Sequence, residues 1–115
     1  MSDVILIKSN DLIGTAVHDA KGGKLAVIRE LFIDRRTGLV QFAILDAGGL
    51  FGGGKYHPVP WRLLHFDEAA GAYGAALTKD QFKRAPAYDR DQLNSTAYGW
   101  GNQTDQFFAG DAPLP

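Results

Sequence analysis

The segment from Leu12 to Trp61 constrains the fold of this chain more than any other feature. Glycine-containing turns divide it into short apolar runs. The runs Ile13 to His18 and Val40 to Leu45 alternate between two faces, which is typical of half-buried strands. Leu25 to Asp34 is apolar in both phases, and we expect a β-bulge near Ile28 to reconcile them. The pattern predicts short strands joined by tight turns, with no long helix.

Two connections within this segment have recognisable chemistry. Asp34 to Gly38 predicts a hairpin turn in which Asp34 caps the turn and Gly38 takes the left-handed conformation. Further on, Pro58 and Pro60 are spaced by two within the run from Tyr56 to Trp61. Proline has no backbone N–H, so one side of this strand cannot donate hydrogen bonds. We therefore expect it to be an edge strand.

The rest of the first 87 residues adds three shorter elements. Val4 to Ile7 is interpreted as an edge strand or a lead-in, and Leu63 to Phe66 with Tyr73 to Leu77 as a last hairpin. Thr78 and Gln81 have capping-box spacing, which predicts a short helical turn ending before Pro86.

The chain changes character from Tyr88 onward. Residues 88–115 are polar and have no apolar periodicity, which favours a disordered, irregular tail. The segment nevertheless contains aromatic residues, which are rare in disordered chains. A tail that docks on its own barrel or on a neighbouring chain is the alternative. Both interpretations are open at this level.

Several of these motifs together resemble the PRC-barrel family, the small barrel found in the H subunit of the photosynthetic reaction centre and in a ribosome-maturation factor. The resemblance covers about residues 10–90. It implies an all-β fold, a six-stranded PRC-type β-barrel over residues 10–87 with residues 1–9 as lead-in and 88–115 as tail. The motifs are Leu12-Ile13-Gly14-Thr15-Ala16-Val17, Phe32 to Val40, Gly48 to Gly54 and Val59-Pro60-Trp61.

The resemblance also bears on function, because the understood family members act by binding other proteins. Each of them carries a second module that we do not recognise in this chain. We expect a non-catalytic interaction or regulatory module that forms a homodimer and binds an unidentified protein partner. The residues expected at contacts are Leu50, Phe51 and Trp61, and in the tail Trp100, Phe107 and Phe108.

Charge argues against nucleic acid as the partner. The chain has 12 basic and 13 acidic side chains, for a net charge of −1. Nucleic-acid binders usually show a basic excess or a basic run. The alternative of a ribosome-assembly or RNA-processing factor would rest on the pairs Arg35-Arg36 and Lys83-Arg84.

No catalytic or cofactor motif is complete. Gly49 to Lys55 has the spacing of a phosphate-binding loop, but Tyr56 stands where Ser or Thr would hold magnesium and Pro58 prevents the helix that such a loop needs. We therefore expect no cofactor and no enzymatic activity. His18, His57 and His65 form no spaced ligand motif, and a small-ligand or metal-binding barrel with His57 and His65 near its mouth is a further alternative.

The cellular location is inferred from sequence features that are missing. The chain contains no cysteine, which suits a reducing compartment. Val4 to Ile7 is too short an apolar run for a signal peptide or a membrane span. We expect a cytoplasmic protein without membrane insertion.

Overall fold

The computed structural model describes residues 4–48, 54–94 and 99–110. In these ranges the strands are β1 (Ala16–His18), β2 (Lys24–Ile33), β3 (Val40–Asp46), β4 (His57–Pro60), β5 (Leu64–Asp67) and β6 (Ala72–Ala75). The helical segments are α1 (Ser9–Leu12), α2 (Lys79–Arg84), α3 (Arg90–Leu93), α4 (Trp100–Phe107) and a 3-10 turn at Trp61–Leu63.

The six strands form one curved sheet in the order β4-β3-β2-β1-β6-β5. Neighbouring strands are antiparallel except β1 and β6, which pair in parallel through Val17 with Tyr73 and His18 with Gly74. The prediction of six strands is confirmed. The sheet is an open half-barrel with β4 and β5 as its edges, rather than the closed or nearly closed barrel expected.

The β4 edge explains why the sheet does not close there. Because Pro58 and Pro60 have no N–H, the ladder bonds to β3 fall to His57 and Val59, opposite Leu45 and Ala43. The outward edge of β4 is thus poor in donors, as the two prolines predicted. Just before it, Tyr56 exchanges two backbone hydrogen bonds with Tyr88, at 2.8 and 2.9 Å.

The longest strand contains the bulge expected from its two apolar phases. Ile28 lies opposite Leu45 and Glu30 opposite Ile44, so the register shifts at Arg29. The β2–β3 hairpin turns at residues 34–38. The Asp34 carboxylate accepts from the Arg36 N–H at 2.9 Å, and Gly38 has a φ of 79°.

The N-terminal segment differs from one of its two interpretations. Residues 4–7 form no strand and remain exposed, and α1 intervenes before the chain enters the sheet. As a result β1 is shorter than the alternating run that begins at Ile13. Leu12, buried at the end of α1, anchors this lead-in to the main core.

The main core lies on the concave side of the sheet. Its fully buried side chains include Val17, Leu25, Leu45, Val59 and Phe82. Phe82 comes from α2, whose start has the predicted capping box between Thr78 and Gln81. The short helix thus places one aromatic ring over the open side of the half-barrel.

The C-terminal segment is not the irregular tail expected for residues 88–115. Its described residues contain α3 and α4, which pack against the sheet face opposite the main core. Asp89 and Gln92 form a second capping box at the start of α3. Trp100 is the central residue, since it packs edge-on against Phe32 and Phe42 at centroid distances of 4.9 and 5.2 Å.

His57 is a buried titratable group at the β4 edge. Its side chain is 3% exposed, its ring lies 4.3 Å from that of Phe82, and its Nδ1 has no hydrogen-bond partner in the described part of the chain. Burial lowers the pKa of His57, because desolvation disfavours the charged imidazolium.

Two glycine-to-alanine changes are expected to shift stability in opposite directions. Gly101 lies within α4, and a Cβ there would meet the Phe42 ring at 3.9 Å, an ordinary contact. Gly101→Ala should raise the free energy of unfolding by about 0.5–1 kcal/mol through helix propensity. Gly38→Ala should lower it by about 1–2 kcal/mol because of the positive φ. Urea denaturation of both variants measures the change in the free energy of unfolding. A destabilising Gly101→Ala would contradict the described packing of α4 against Phe42.

A second prediction concerns the pH dependence of stability. Above the ordinary histidine pKa of 6.5, His57 is neutral in both states and contributes no pH dependence. As the pH falls below that value the unfolded chain takes up a proton that folded His57 resists, so stability falls, by at most about 1.4 kcal/mol per pH unit. His57→Leu should lose less stability than the wild type between pH 7 and pH 5.

Chemical denaturation across this pH range measures the slope. Leu77→Ala is the control, since it opens a cavity in the core without removing a titratable group. It should lower stability at every pH and leave the slope unchanged. An unchanged slope in His57→Leu would contradict the role assigned to His57.

Candidate interaction surface

A depression lined by aliphatic and aromatic side chains lies beside the β2–β3 hairpin. We call it the hairpin groove. Its volume is about 580 Å³, and it lies where the start of β3, the end of β4 and one side of α4 meet. Its lining residues include Leu39, Val40, Phe42, Pro60, Trp61, Arg62 and Asp105.

A smaller cleft extends this surface toward β2. It has a volume of about 160 Å³ and is lined by Ile33, Phe42 and Trp100 among others. Gln41 and Phe42 line both depressions, so the two form one surface. Ile33 is 56% exposed and Leu39 is 62% exposed, which is unusual for aliphatic side chains so close to each other in a hairpin.

The walls of the groove are fixed by contacts within the chain. Arg62 donates a hydrogen bond from Nη2 to the Phe108 carbonyl at 2.8 Å, which binds a cation to the C-terminal end of α4. Trp61 is half-buried, with its ring 5.5 Å from that of Tyr73. Tyr88 donates from its hydroxyl to Gln103 at 2.6 Å. The groove is therefore preformed.

The structure separates the predicted contact residues into three groups. Trp61 lines the groove, and Phe107 is 39% exposed on α4. Trp100 and Phe108 need correction, because their exposed fractions are 6% and 0% and both pack on the sheet of their own chain. Leu50 and Phe51 lie outside the described residues.

Sequence reasoning missed two features of this surface. Leu39 was not singled out, because a leucine following a hairpin glycine carries no sequence signal of exposure. The packing of α4 was also missed, because α4 begins without a side-chain cap; the capping box of Asp89 and Gln92, which has the spacing that predicted α2, marks α3 instead.

The three histidines do not converge on one site. His18 and His65 border a cavity of about 250 Å³, where the His65 ring lies over Gly74. His57 is buried against Phe82 on the opposite edge strand, so the pairing of His57 with His65 in a ligand site is not supported. Within the described ranges, no group of three or more His, Cys, Asp or Glu side chains is arranged to hold a metal ion.

The remaining alternatives are also located by the structure. Arg35 and Arg36 are exposed on the β2–β3 turn, whereas Lys83 and Arg84 are exposed on α2, so the two basic pairs belong to separate elements. The glycine-rich stretch is followed by the strand β4 at His57 rather than by a helix. In the part of the chain that the structure describes, no helix has the length and apolar character needed to cross a membrane.

Comparison with known proteins places the chain in a family. It is similar to an uncharacterized protein of Deinococcus radiodurans, with 32% identity over 84 residues. The match covers 73% of this chain but 30% of that relative, so the chain corresponds to less than a third of the relative's length. The sequence model of the PRC-barrel domain matches residues 5–81, a range that includes all six strands. As the sequence motifs indicated, this chain belongs to the PRC-barrel domain family.

Proposed function

We propose that this protein is a non-catalytic protein–protein interaction module of the cytoplasm, which assembles as a homodimer and binds a protein partner through the hairpin groove. The observation that carries the proposal is the apolar surface formed by exposed Leu39 and half-buried Phe42 and Trp61 on a preformed scaffold. An exposed apolar patch rimmed by polar side chains is typical of a binding site.

The chemistry of the groove supports binding rather than catalysis. Its described lining residues include no Ser, Thr, Cys or His, so it offers no hydroxyl or thiol nucleophile and no imidazole base. Its charged side chains are Arg62 and Asp105, and Arg62 already donates to the Phe108 carbonyl. The groove is suited to an apolar side chain of the partner, with polar contacts around it.

The rigidity of the groove supports affinity. Its floor consists of paired strands and its wall of a helix held by Trp100 and Arg62. A preformed site loses little conformational entropy on binding, so more of the apolar contact energy is available for affinity. Tryptophan is among the residue types enriched at the energetic centre of interfaces, which makes Trp61 the expected anchor.

The proposal is tested by capturing the partner at the groove. A photo-crosslinking amino acid at position 39 should trap a specific protein in cells, whereas the same probe at Ile13, an exposed aliphatic residue outside the groove, should not. Equal labelling from both positions, or none from position 39, would refute the groove as a binding site.

For a partner identified in this way, Leu39→Lys should weaken binding at least tenfold, because it places a charge in an apolar contact. Isothermal titration with the purified partner measures the change. Ile13→Lys, the matched control, should leave Kd unchanged. Since both side chains are exposed, neither variant should alter the melting temperature by more than a few degrees. An unchanged Kd in Leu39→Lys would contradict the proposal.

A further inference from the structure

Residues 4–7 are the most exposed apolar segment of the described chain. Val4, Ile5, Leu6 and Ile7 are 78%, 62%, 87% and 50% exposed. Their backbone groups have no hydrogen-bond partner in the described ranges, and β-branched and aliphatic residues of this kind favour strands. The family match begins at Ile5, so the segment is part of the domain. The segment thus has the composition of a β-strand but pairs with no strand in the described residues.

The sheet offers one edge to such a strand. At β4, the Tyr56 backbone is paired with Tyr88, and Pro58 and Pro60 remove the remaining outward donors. At the opposite edge, β5 pairs with β6 and with no other strand in the part of the chain that the structure describes. The Ala76 N–H donates to the Leu63 carbonyl at 3.0 Å, and the alternation of an antiparallel ladder then points the N–H and C=O of Phe66 away from β6.

We propose that residues 4–7 of one copy add as a parallel strand to β5 of a second copy, and that the exchange is reciprocal. This exchange describes how the homodimer of the proposed function would form, and the inference therefore rests on that proposed function. Both elements are four residues long. Because every chain carries both the segment and the edge, reciprocal addition satisfies both and closes as a two-fold dimer.

The parallel direction follows from charge and side-chain pattern. With Leu6 beside Phe66, the parallel direction places Lys8 next to Glu68, whereas the antiparallel direction would place Val4 there and Lys8 beside the apolar Leu64. In the parallel register the Phe66 N–H donates to the Ile5 carbonyl and the Ile7 N–H donates to the Phe66 carbonyl.

The same register gives the apolar side chains a place to pack. Val4 and Leu6 face the side of β5 that carries Leu64 and Phe66. Phe66 is 42% exposed and its ring lies 5.4 Å from that of Tyr73, so Leu6 would extend an existing aromatic contact.

Disulfide trapping tests the pairing. Because the chain contains no cysteine, each disulfide formed must involve an introduced cysteine. Purified Leu6→Cys and Phe66→Cys proteins, distinguished by a mass tag, are mixed and oxidised. Laterally paired residues in adjacent strands have the Cα separation that a disulfide needs. We expect a mixed disulfide between the two variants. Ile5→Cys is the matched control, since its side chain faces the other side of the sheet and should link to Phe66→Cys far less.

Sedimentation equilibrium tests the contribution to assembly. The wild type should dimerise, and Val4→Lys with Leu6→Lys should raise the dimer dissociation constant at least a hundredfold. Ile13→Lys is the control and should leave it unchanged. Both positions of the double variant are exposed in the isolated chain, so its melting temperature at a concentration where the wild type is monomeric should match that of the wild type.

The outcomes separate this inference from the proposal on which it rests. A dimer unaffected by the lysine pair would overturn strand addition and leave the homodimer standing, whereas a monomeric wild type would overturn both. A monomeric disulfide in a Leu6→Cys, Phe66→Cys double variant, without a link between the single variants, would overturn the exchange in favour of pairing within one chain. Preferential linking of Ile5→Cys to Phe66→Cys would overturn the proposed register, in which Leu6 lies beside Phe66.

Discussion

The structure depends on the burial of both faces of β3. Ala43 and Leu45 point into the main core, whereas Phe42 and Ile44 point to the opposite side. A half-barrel alone covers only the first of these faces. The second is covered by Trp100, which packs on Phe42 and donates its indole N–H to the Leu93 carbonyl at 3.2 Å. This contact orders α3 and α4 against the sheet, and α4 in turn forms one wall of the hairpin groove.

The two edges of the sheet differ in chemistry, and the proposed strand addition depends on this difference. Natural sheets protect their edges because unpaired N–H and C=O groups recruit other strands. In this chain β4 is protected twice, by the backbone of Tyr88 and by Pro58 and Pro60. Among the described residues, β5 has no backbone partner besides β6, and its outward residue Phe66 is apolar. The prolines that limit pairing at β4 thus leave β5 as the edge that the proposed strand addition uses.

The sequence was informative wherever structure is determined by neighbours in the chain. The bulge near Ile28 and the cap at Thr78 depend on a few adjacent residues, and both are present. The contact of Trp100 with Phe32 joins residues far apart in the chain, which no local pattern specifies. The groove could not be predicted from the sequence for the same reason. It combines three segments that are far apart in the chain, and of its lining residues only Trp61 was predicted as a contact residue. The apolar residues on both faces of β3 were nevertheless a readable sign that a further layer was needed.

An aromatic row connects the two surfaces on which the proposals rest. Tyr73 on β6 contacts Trp61 at 5.5 Å, in the wall of the groove, and Phe66 at 5.4 Å, on the β5 edge. The curvature of the sheet thus brings Trp61, which follows β4, and Phe66 on β5 to the same side chain, Tyr73. In the strand order β4 and β5 are the two ends of the sheet. A partner seated on Trp61 and a second copy seated on Phe66 both pack against neighbours of Tyr73. If either event changes the packing of Tyr73, linkage requires the effect on affinity to be reciprocal. The proposed partner binding and the proposed dimerisation would then be coupled through Tyr73.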